Sequence, residues 1–448
     1  MHRLALRAED ARGVHEMFES FEPNEAGAFF LLRSGQARTG TRLVASKPRI
    51  PKPEEFRRVG PAMLTPSSQL ISQMVSWANR EKAGLLFVHS HPDPRFPAGF
   101  SEVDWEALSE LARVMPDLMD GPFAAAVVSP LGWAGTMLAD SRWEPIERIT
   151  AAGRCLQFLE SLAGDALPDP MDDRQALALG RINTRLRSLS VAVAGAGGLG
   201  SPLAETLTRM GVRSLCSVDD DRLDTPSNLR RIFGARPDDL AEGRLKAEVV
   251  RDHCHSLGLG VETVSAALDV RSQEALPHLL EADVILCGTD THSSRAVLNA
   301  VSYAFHLPLI DCGVRPGLRR DGGLESLAGE IRIVGAGLPC LFCRKALNSE
   351  TIREENLPPD ERRRLAREGY GSGTLEVVPS VSALTVSGAG WMAGALIGLL
   401  ADDGDHRPAG YQFDVLNGTA WESIAARRAS CVCRLCEGRG TAAPLGLR

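Results

Sequence analysis

The chain has no tract of basic residues and no block of like charge; its formal net charge is −7 and its pI is near 5.9. That balance leaves no electrostatic footprint for nucleic acid and points to no particular partner. The first residues, MHRLALRAEDARG, lack the apolar core of a signal peptide, so we expect a cytoplasmic protein. Internal repeats and low-complexity stretches are absent, which leaves ordinary globular domains. Long uncharged runs are scarce. Val381 to Ala401 is long enough to cross a bilayer. It is rich in Gly and Ser, however, and no Lys or Arg flanks it closely to set an orientation. We read it as a buried helix of a large α/β core and expect no membrane.

What is present is ordinary in amount. The 448 residues are 44% hydrophobic and 24% charged, as in soluble globular proteins. At about 100–200 residues per domain, the length allows two to four domains. Ten cysteines occur, four of them in two CxxC pairs. Without a secretion signal, that usage fits a reducing compartment and a metal site rather than disulfides.

The pattern divides the chain into α/β units. In residues 1–145, Gly27 to Leu32 (GAFFLL) has the length of a strand. Ser67 to Lys82 spaces its apolar residues as a helix, and LLFV (85–88) is a buried strand running into His89. Ser101 to Met115 is helical, and Phe123 to Val128 is another strand. Residues 146–173 read as a linker: a helical piece, then GDALPDPMDD, whose Pro and Asp break regular structure. From residue 174 to 448 strands alternate with helices: VAVAGA, LCSVDD, ADVILCGTD and PLIDCG. That alternation predicts a mostly parallel, Rossmann-like sheet with helices on both faces. The polar segment Glu350 to Gly373 reads as a long crossing loop or a mobile helix–loop.

The segment HSHPDPRFPAGFSEVD carries the first constellation. His89 and His91, two apart at a strand end, point to one face, and Asp104 on the next helix supplies a carboxylate. Two His, one carboxylate and a water make an open catalytic zinc site. Glu25, just before GAFFLL, is the candidate general base, and Ser101 can donate to a developing oxyanion. Ser101-x-x-Asp104 also has the form of a helix N-cap pair, and the histidines alone would fit a solvated strand end. The ordered set resembles the JAMM (JAB/MPN) metallopeptidases over the first 145 residues. That resemblance implies processing or removal of a ubiquitin-like or sulfur-carrier protein. Nine residues separate His91 from Ser101, two more than the family's usual loop, so the substrate rim differs.

The second constellation starts at VAVAGAGGLGSPLAETLTRMGV. Gly195, Gly197 and Gly200, with Gly198 between them, make a GxGxxG turn where backbone N–H groups approach a phosphate. Asp219 after the second strand suits a ribose hydroxyl, which an NAD dehydrogenase also requires. Asn228, Arg230, Arg231, Lys246 and Arg295, with Asp290 at a strand end, decide otherwise. A cation cluster serves a pyrophosphate leaving group, and an Asp can hold Mg2+. Cys340-x-x-Cys343 and Cys433-x-x-Cys436 make a closed structural zinc site that clips the tail to the domain, with Cys431 able to replace Cys433.

These motifs, from about residue 174 on, resemble the ThiF/MoeB-like adenylyltransferases, the superfamily of ubiquitin-activating enzymes. By that resemblance Asp219 and Asp221 form the Asp-x-Asp element, Arg231 is the box arginine and Lys246 the family lysine. Arg174 reaches the ATP of a partner subunit, which implies a homodimer. One residue more than in the family separates Asp221 from Asn228. No cysteine lies between Cys343 and Cys431, where many relatives carry a thioester- or persulfide-forming thiol.

The expectation is therefore a bifunctional enzyme using zinc, ATP and Mg2+. Its partner is a ubiquitin-like or sulfur-carrier protein with a free C-terminus, followed by a conjugating enzyme or a sulfur donor. The pathway is ubiquitin-like conjugation or, alternatively, carrier activation for cofactor or metabolite biosynthesis. A nucleotide- and metal-binding sensor without turnover is the third reading, and the complete sets of site residues weigh against it.

Overall fold

The computed structural model describes residues 1–95, 97–160, 170–358, 360–362, 364, 379–401 and 407–441. They form two compact units. The first comprises Met1–Asp165 with Ala304–His306 and Glu437–Thr441, and the second holds the remaining described residues.

The first unit runs β1 (His2–Arg7), α1 (Ala8–Phe21), β2 (Gly27–Gln36), β3 (Thr41–Arg49), β4 (Phe56–Gly60), β5 (Met63–Pro66), α2 (Ser68–Arg80), β6 (Gly84–Ser90), α3 (Glu102–Leu118), β7 (Phe123–Ser129), β8 (Gly132–Ala139), β9 (Arg142–Ala152) and β10 (Leu156–Phe158). Its sheet has the order β1-β3-β2-β6-β7-β8-β9-β10 and returns on itself because β1 also pairs with β9. β2 is apolar along its first half because both of its faces are buried. Phe30 and Leu32 pack with Leu4, Leu86 and Ile149 on one side, and Phe29 and Leu31 pack with Leu70 and Met74 on the other. α2 starts where Ser67 Oγ accepts the Leu70 N–H at 3.1 Å, and it buries Leu70, Met74, Val75 and Ala78.

The linker reading needs correction. Residues 142–152 and 156–158 are strands of this sheet, not a helical connector. Ile146, Ile149, Ala151 and Ala152 are buried there, and β9 takes up pairing with β1, β8 and β10. The β-branched Ile149-Thr150 pair suits a strand better than a helix. Most of GDALPDPMDD lies outside the described residues.

The second unit runs α4 (Asp173–Leu179), α5 (Arg181–Ser188), β11 (Ser190–Ala194), α6 (Gly200–Arg209), β12 (Ser214–Val218), α7 (Pro237–Ala241), α8 (Lys246–Ser256), β13 (Glu262–Ala266), α9 (Leu276–Leu280), β14 (Val284–Cys287), α10 (His292–Ala304), β15 (Leu309–Leu318), β16 (Leu324–Val334), α11 (Ser349–Glu355), the helix Ser382–Leu399, β17 (Gly410–Asp414), β18 (Thr419–Glu422) and the helix Val432–Cys436. Strand order is β13-β12-β11-β14-β15-β16-β17-β18. The strands are parallel from β13 to β15 and antiparallel beyond. The order reverses between β11 and β14, the switch point at which open α/β sheets bind ligands. The antiparallel half, β16 to β18, is absent from the sequence reading.

Ser382–Leu399 is the apolar run. Among the described residues it is the one helix long and apolar enough to cross a membrane, and half of it is buried. It packs on α6, β15 and β16. The polar segment after β16 opens with α11; residues 359, 363 and 365–373 of it lie outside the described residues.

Candidate functional site

In the first unit, β2 and β6 are paired so that Gly27 lies opposite His89. That register brings Glu25, two residues before Gly27, beside the histidine pair. The His89 and His91 Nε2 atoms are 3.2 Å apart. Asp104 closes the triangle: Oδ1 is 3.1 Å from His89 Nε2 and Oδ2 is 3.3 Å from His91 Nε2. Zinc bonds of about 2.0–2.1 Å would space tetrahedral ligand atoms about 3.3–3.4 Å apart, so these three side chains fit that ion. Glu25 Oε1 lies 3.8 Å from His91 Nε2. Phe87 stacks on the His89 ring at 5.5 Å.

Burial pushes the Glu25 carboxyl up to about 7; His91 pulls it down and Asp104 adds to the rise. Burial also pushes Asp104 up, but hydrogen bonds from His89 and His91 outweigh it and hold the carboxyl far below its usual range. Ser101 caps α3. Its Oγ accepts the Asp104 N–H at 3.2 Å and its hydroxyl donates to Asp104 Oδ2 at 2.7 Å. The capping and functional readings of this pair are therefore compatible, because one carboxylate closes the box and faces both histidines. The Ser101 hydroxyl itself is engaged by Asp104 rather than pointing free.

In the second unit a cavity of about 610 Å3 opens at the switch point. Gly195, Gly197, Gly198, Asp219, Asp221, Asn228, Arg231, Lys246 and Asp290 all line it. Gly195 takes φ +92°, which favours glycine. Gly200 does not line the cavity; a Cβ there would lie 1.7 Å from the Gly195 carbonyl, so it is needed for close packing of turn and helix. Asp219 Oδ2 accepts the Ala196 N–H at 2.6 Å, and Oδ1 accepts the Asp221 N–H at 2.8 Å. Burial nevertheless pushes Asp219 up to about 6. Arg231 donates to Asn228 Oδ1 at 3.2 Å. The open backbone at Gly197, where a Cβ would meet nothing within 4 Å, and the start of α6 suit a phosphate chain. Asp290 is exposed, and among the described residues its carboxylate has no ion-pair partner. One free carboxylate beside phosphates and water suits Mg2+.

Three expectations change here. Strand β14 ends at Cys287, so Asp290 stands in the loop after it rather than at the strand end. Arg295 lines the cavity as expected, but it is engaged there, donating to two backbone carbonyls and lying 3.2 Å from Asp311 Oδ1. Arg174 is exposed on α4 and is not among the cavity residues. Arg271, Arg315 and Arg332 line the cavity and were missed. The one signal for Arg332 is its charge inside the apolar alternation of GEIRIV.

The cysteines also regroup. Cys340, Cys343, Cys431 and Cys433 place their Sγ atoms within 4.8 Å of one another, with Cys340 and Cys431 at 3.4 Å. Four thiols at that spacing fit zinc, whose Zn–S bonds of about 2.3 Å set them about 3.8 Å apart. Cys431 thus stands where Cys436 was expected. Cys431 and Cys433 sit together at the start of the last helix, whereas Cys436 ends it.

Residues 173–435 match the ThiF family. Over 141 residues the chain is 29% identical to the adenylyltransferase and sulfurtransferase UBA4 of Meyerozyma guilliermondii, covering 32% of each chain. Over 264 residues it is 24% identical to ubiquitin-like modifier-activating enzyme 5 of Drosophila mojavensis, covering 55% of this chain and 61% of that one. The chain thus spans about a third to three fifths of the length of these curated relatives. A crystal structure of E. coli MccB with ATP is 16% identical, covers 59% of this chain and 74% of that one, and has a TM-score of 0.45.

Proposed function

The chain belongs to the ThiF family, and we propose on that premise that its second unit binds ATP with Mg2+ and adenylates the C-terminal carboxylate of a small ubiquitin-like or sulfur-carrier protein. The observation that carries this reading is the cavity. It joins the glycine turn, Asp219, Asn228, Arg231, Lys246 and Asp290 at the switch point. A carboxylate oxygen of the carrier attacks the α-phosphorus. The P–O bond to the β-phosphate breaks, and acyl-adenylate and pyrophosphate result. Lys246 and Arg231 take up the charge that develops on the leaving group. Asp219 would receive the ribose hydroxyls, and Asp290 would hold Mg2+, which would neutralise charge on the reacting phosphates.

Between the two partner classes we favour a sulfur carrier, because relatives such as UBA4 are named as both adenylyltransferase and sulfurtransferase. Conjugation of a ubiquitin-like modifier is the second reading, supported by the likeness to a ubiquitin-like modifier-activating enzyme. Calorimetric titration separates both from a dehydrogenase. ATP·Mg2+ should bind and NAD should not; tight NAD binding sinks the proposal. Capture of the carrier on the immobilised protein then separates the two classes. Arg174, exposed and outside its own cavity, is assigned to the site of a second copy in a homodimer. A cytoplasmic location completes the proposal.

The first unit supports a second activity of the JAMM type. A zinc held by His89, His91 and Asp104 would supply Lewis-acid polarisation of the scissile carbonyl. Glu25 takes the proton from the attacking water and passes it to the leaving amine. The substrate we infer is a fusion or conjugate of the same carrier. Cleavage of such a fusion, abolished by chelation and restored by zinc, is the test; cleavage unaffected by chelation removes this reading.

A further inference from the structure

Asp290 stands on a short bridge between β14 and α10, and both of its neighbours are pinned. Thr291 Oγ1 accepts the Ser294 N–H at 3.3 Å. The Thr289 carbonyl accepts from Arg295 Nε at 3.1 Å. Arg295 also donates to the Cys312 carbonyl at 2.9 Å and lies in charge contact with Asp311 Oδ1 at 3.2 Å, without a hydrogen bond to it. Asp311 is wholly buried, and its other oxygen accepts from Arg332 at 2.7 Å. Arg332 reaches on to Glu330 at 2.6 Å, and Glu330 accepts from Ser423 Oγ at 2.6 Å. The network is built into the sheet, because the β15–β16 register sets Asp311 opposite Arg332. Gly313 leaves room for it: a Cβ there would meet Arg332 Nη1 at 3.4 Å and Arg295 Nη2 at 3.5 Å.

Buried ion pairs are weak devices for stability, since apolar residues of similar volume often do as well. What they supply is placement: the buried Asp311 charge draws the Arg295 guanidinium in, and its bonds to the Thr289 and Cys312 carbonyls fix its aim. Here the last link aims at the backbone next to Asp290. We propose that Asp311 and Arg332 are positioning residues which, through Arg295 and the Thr289 carbonyl, orient the Asp290 carboxylate toward the Mg2+ of bound ATP. This inference rests on the ATP reading above.

The test is titration of the full chain with ATP, once with Mg2+ and once with EDTA. In wild type, Mg2+ should strengthen binding. Arg332 itself lines the cavity, so Arg332→Gln is read by the ratio of its ATP affinities with Mg2+ and with EDTA; that ratio, the Mg2+ gain, should fall about tenfold, the worth of one charge-assisted contact. Combining it with Asp290→Ala should cost no further Mg2+ gain than Asp290→Ala alone. An unchanged Mg2+ gain overturns the inference. So does an equal loss with and without metal, which marks a merely structural role. If Arg332→Gln fails to fold, Glu330→Gln breaks the chain one link further out. A reduced Mg2+ gain there supports the inference and an unchanged one overturns it. Absence of ATP binding in wild type instead overturns the nucleotide reading itself, and this inference with it.

Discussion

Lys246 Nζ sits 2.6 Å from Asp221 Oδ2, joining the first turn of α8 to the turn after β12. The two partners differ in exposure. The lysine side chain is 14% exposed and the aspartate 66%, so the amine is held at the cavity wall while its counter-charge stays wet. Such a pair contributes about 0–1 kcal/mol to stability, but it keeps the ammonium where a phosphate can replace the carboxylate. Lys246→Ala should weaken ATP binding about tenfold to a hundredfold, as expected for a lost charge-assisted contact, with little change in Tm. Unaltered ATP affinity in a titration would remove Lys246 from the site.

The two carboxylates of the first unit have separable roles. Asp104 touches both histidines, so Asp104→Asn should lose the bound zinc. Glu25 stands farther out, 3.8 Å from His91 and within 4.8 Å of His89. Glu25→Gln should therefore keep zinc and lose cleavage by about a hundredfold or more, the usual worth of a general base. Zinc content by elemental analysis, read beside cleavage of a carrier fusion, distinguishes them. Cleavage by Glu25→Gln at the wild-type rate contradicts the assignment of the base.

The cysteine quartet predicts which thiols matter. Elemental analysis should find about two zinc per chain when both sites are filled. Cys431→Ser should release the structural zinc and lower Tm, while Cys436→Ser should retain the metal, because only the former is in the quartet. Neither change should touch cleavage by the first unit. Retention of metal by Cys431→Ser together with its loss from Cys436→Ser would restore the two CxxC pairs as the ligands.

Among the described residues lining the cavity, the one thiol is poorly suited to capture an acyl-adenylate. Cys312 lines the cavity, yet its side chain is buried, and burial holds the thiol far above its usual range, with Asp311 adding to the rise. A buried neutral thiol is a poor nucleophile. With carrier and ATP·Mg2+, a non-reducing gel should show no adduct that thiol reductant removes, while pyrophosphate is still released. An adduct lost in Cys312→Ala would make Cys312 the acceptor, and one that survives would point to another cysteine.

How far the site could be read in the sequence depended on what set each residue's place. His89, His91, the glycine turn and Asp219 follow from strands and turns whose local chemistry is periodic, and each lies where that periodicity puts it. Ser101 and Asp104 were legible as a cap, and the cap is what aims the carboxylate. Arg295 lines the cavity, but its engagement with Asp311 is not legible, because Asp311 is brought near by sheet pairing across β14 and β15, which a one-dimensional pattern does not contain. Residues 146–152 read as part of a connector because their burial comes from pairing with β1, more than 140 positions away. Cys431 enters the quartet for a similar reason: the chain just before the short helix from Val432 is brought to 3.4 Å from Cys340 by the fold.

The most direct test of the account is exchange of labelled pyrophosphate into ATP, since that measures reversal of carboxylate adenylation and nothing else the chain is proposed to do. Wild type should exchange label only when a ubiquitin-like or sulfur-carrier protein with a free C-terminus is present. Asp290→Ala, folded by thermal unfolding, should lose that exchange, because its carboxylate is assigned to Mg2+ at the reacting phosphates. Exchange by Asp290→Ala at the wild-type rate would contradict the account.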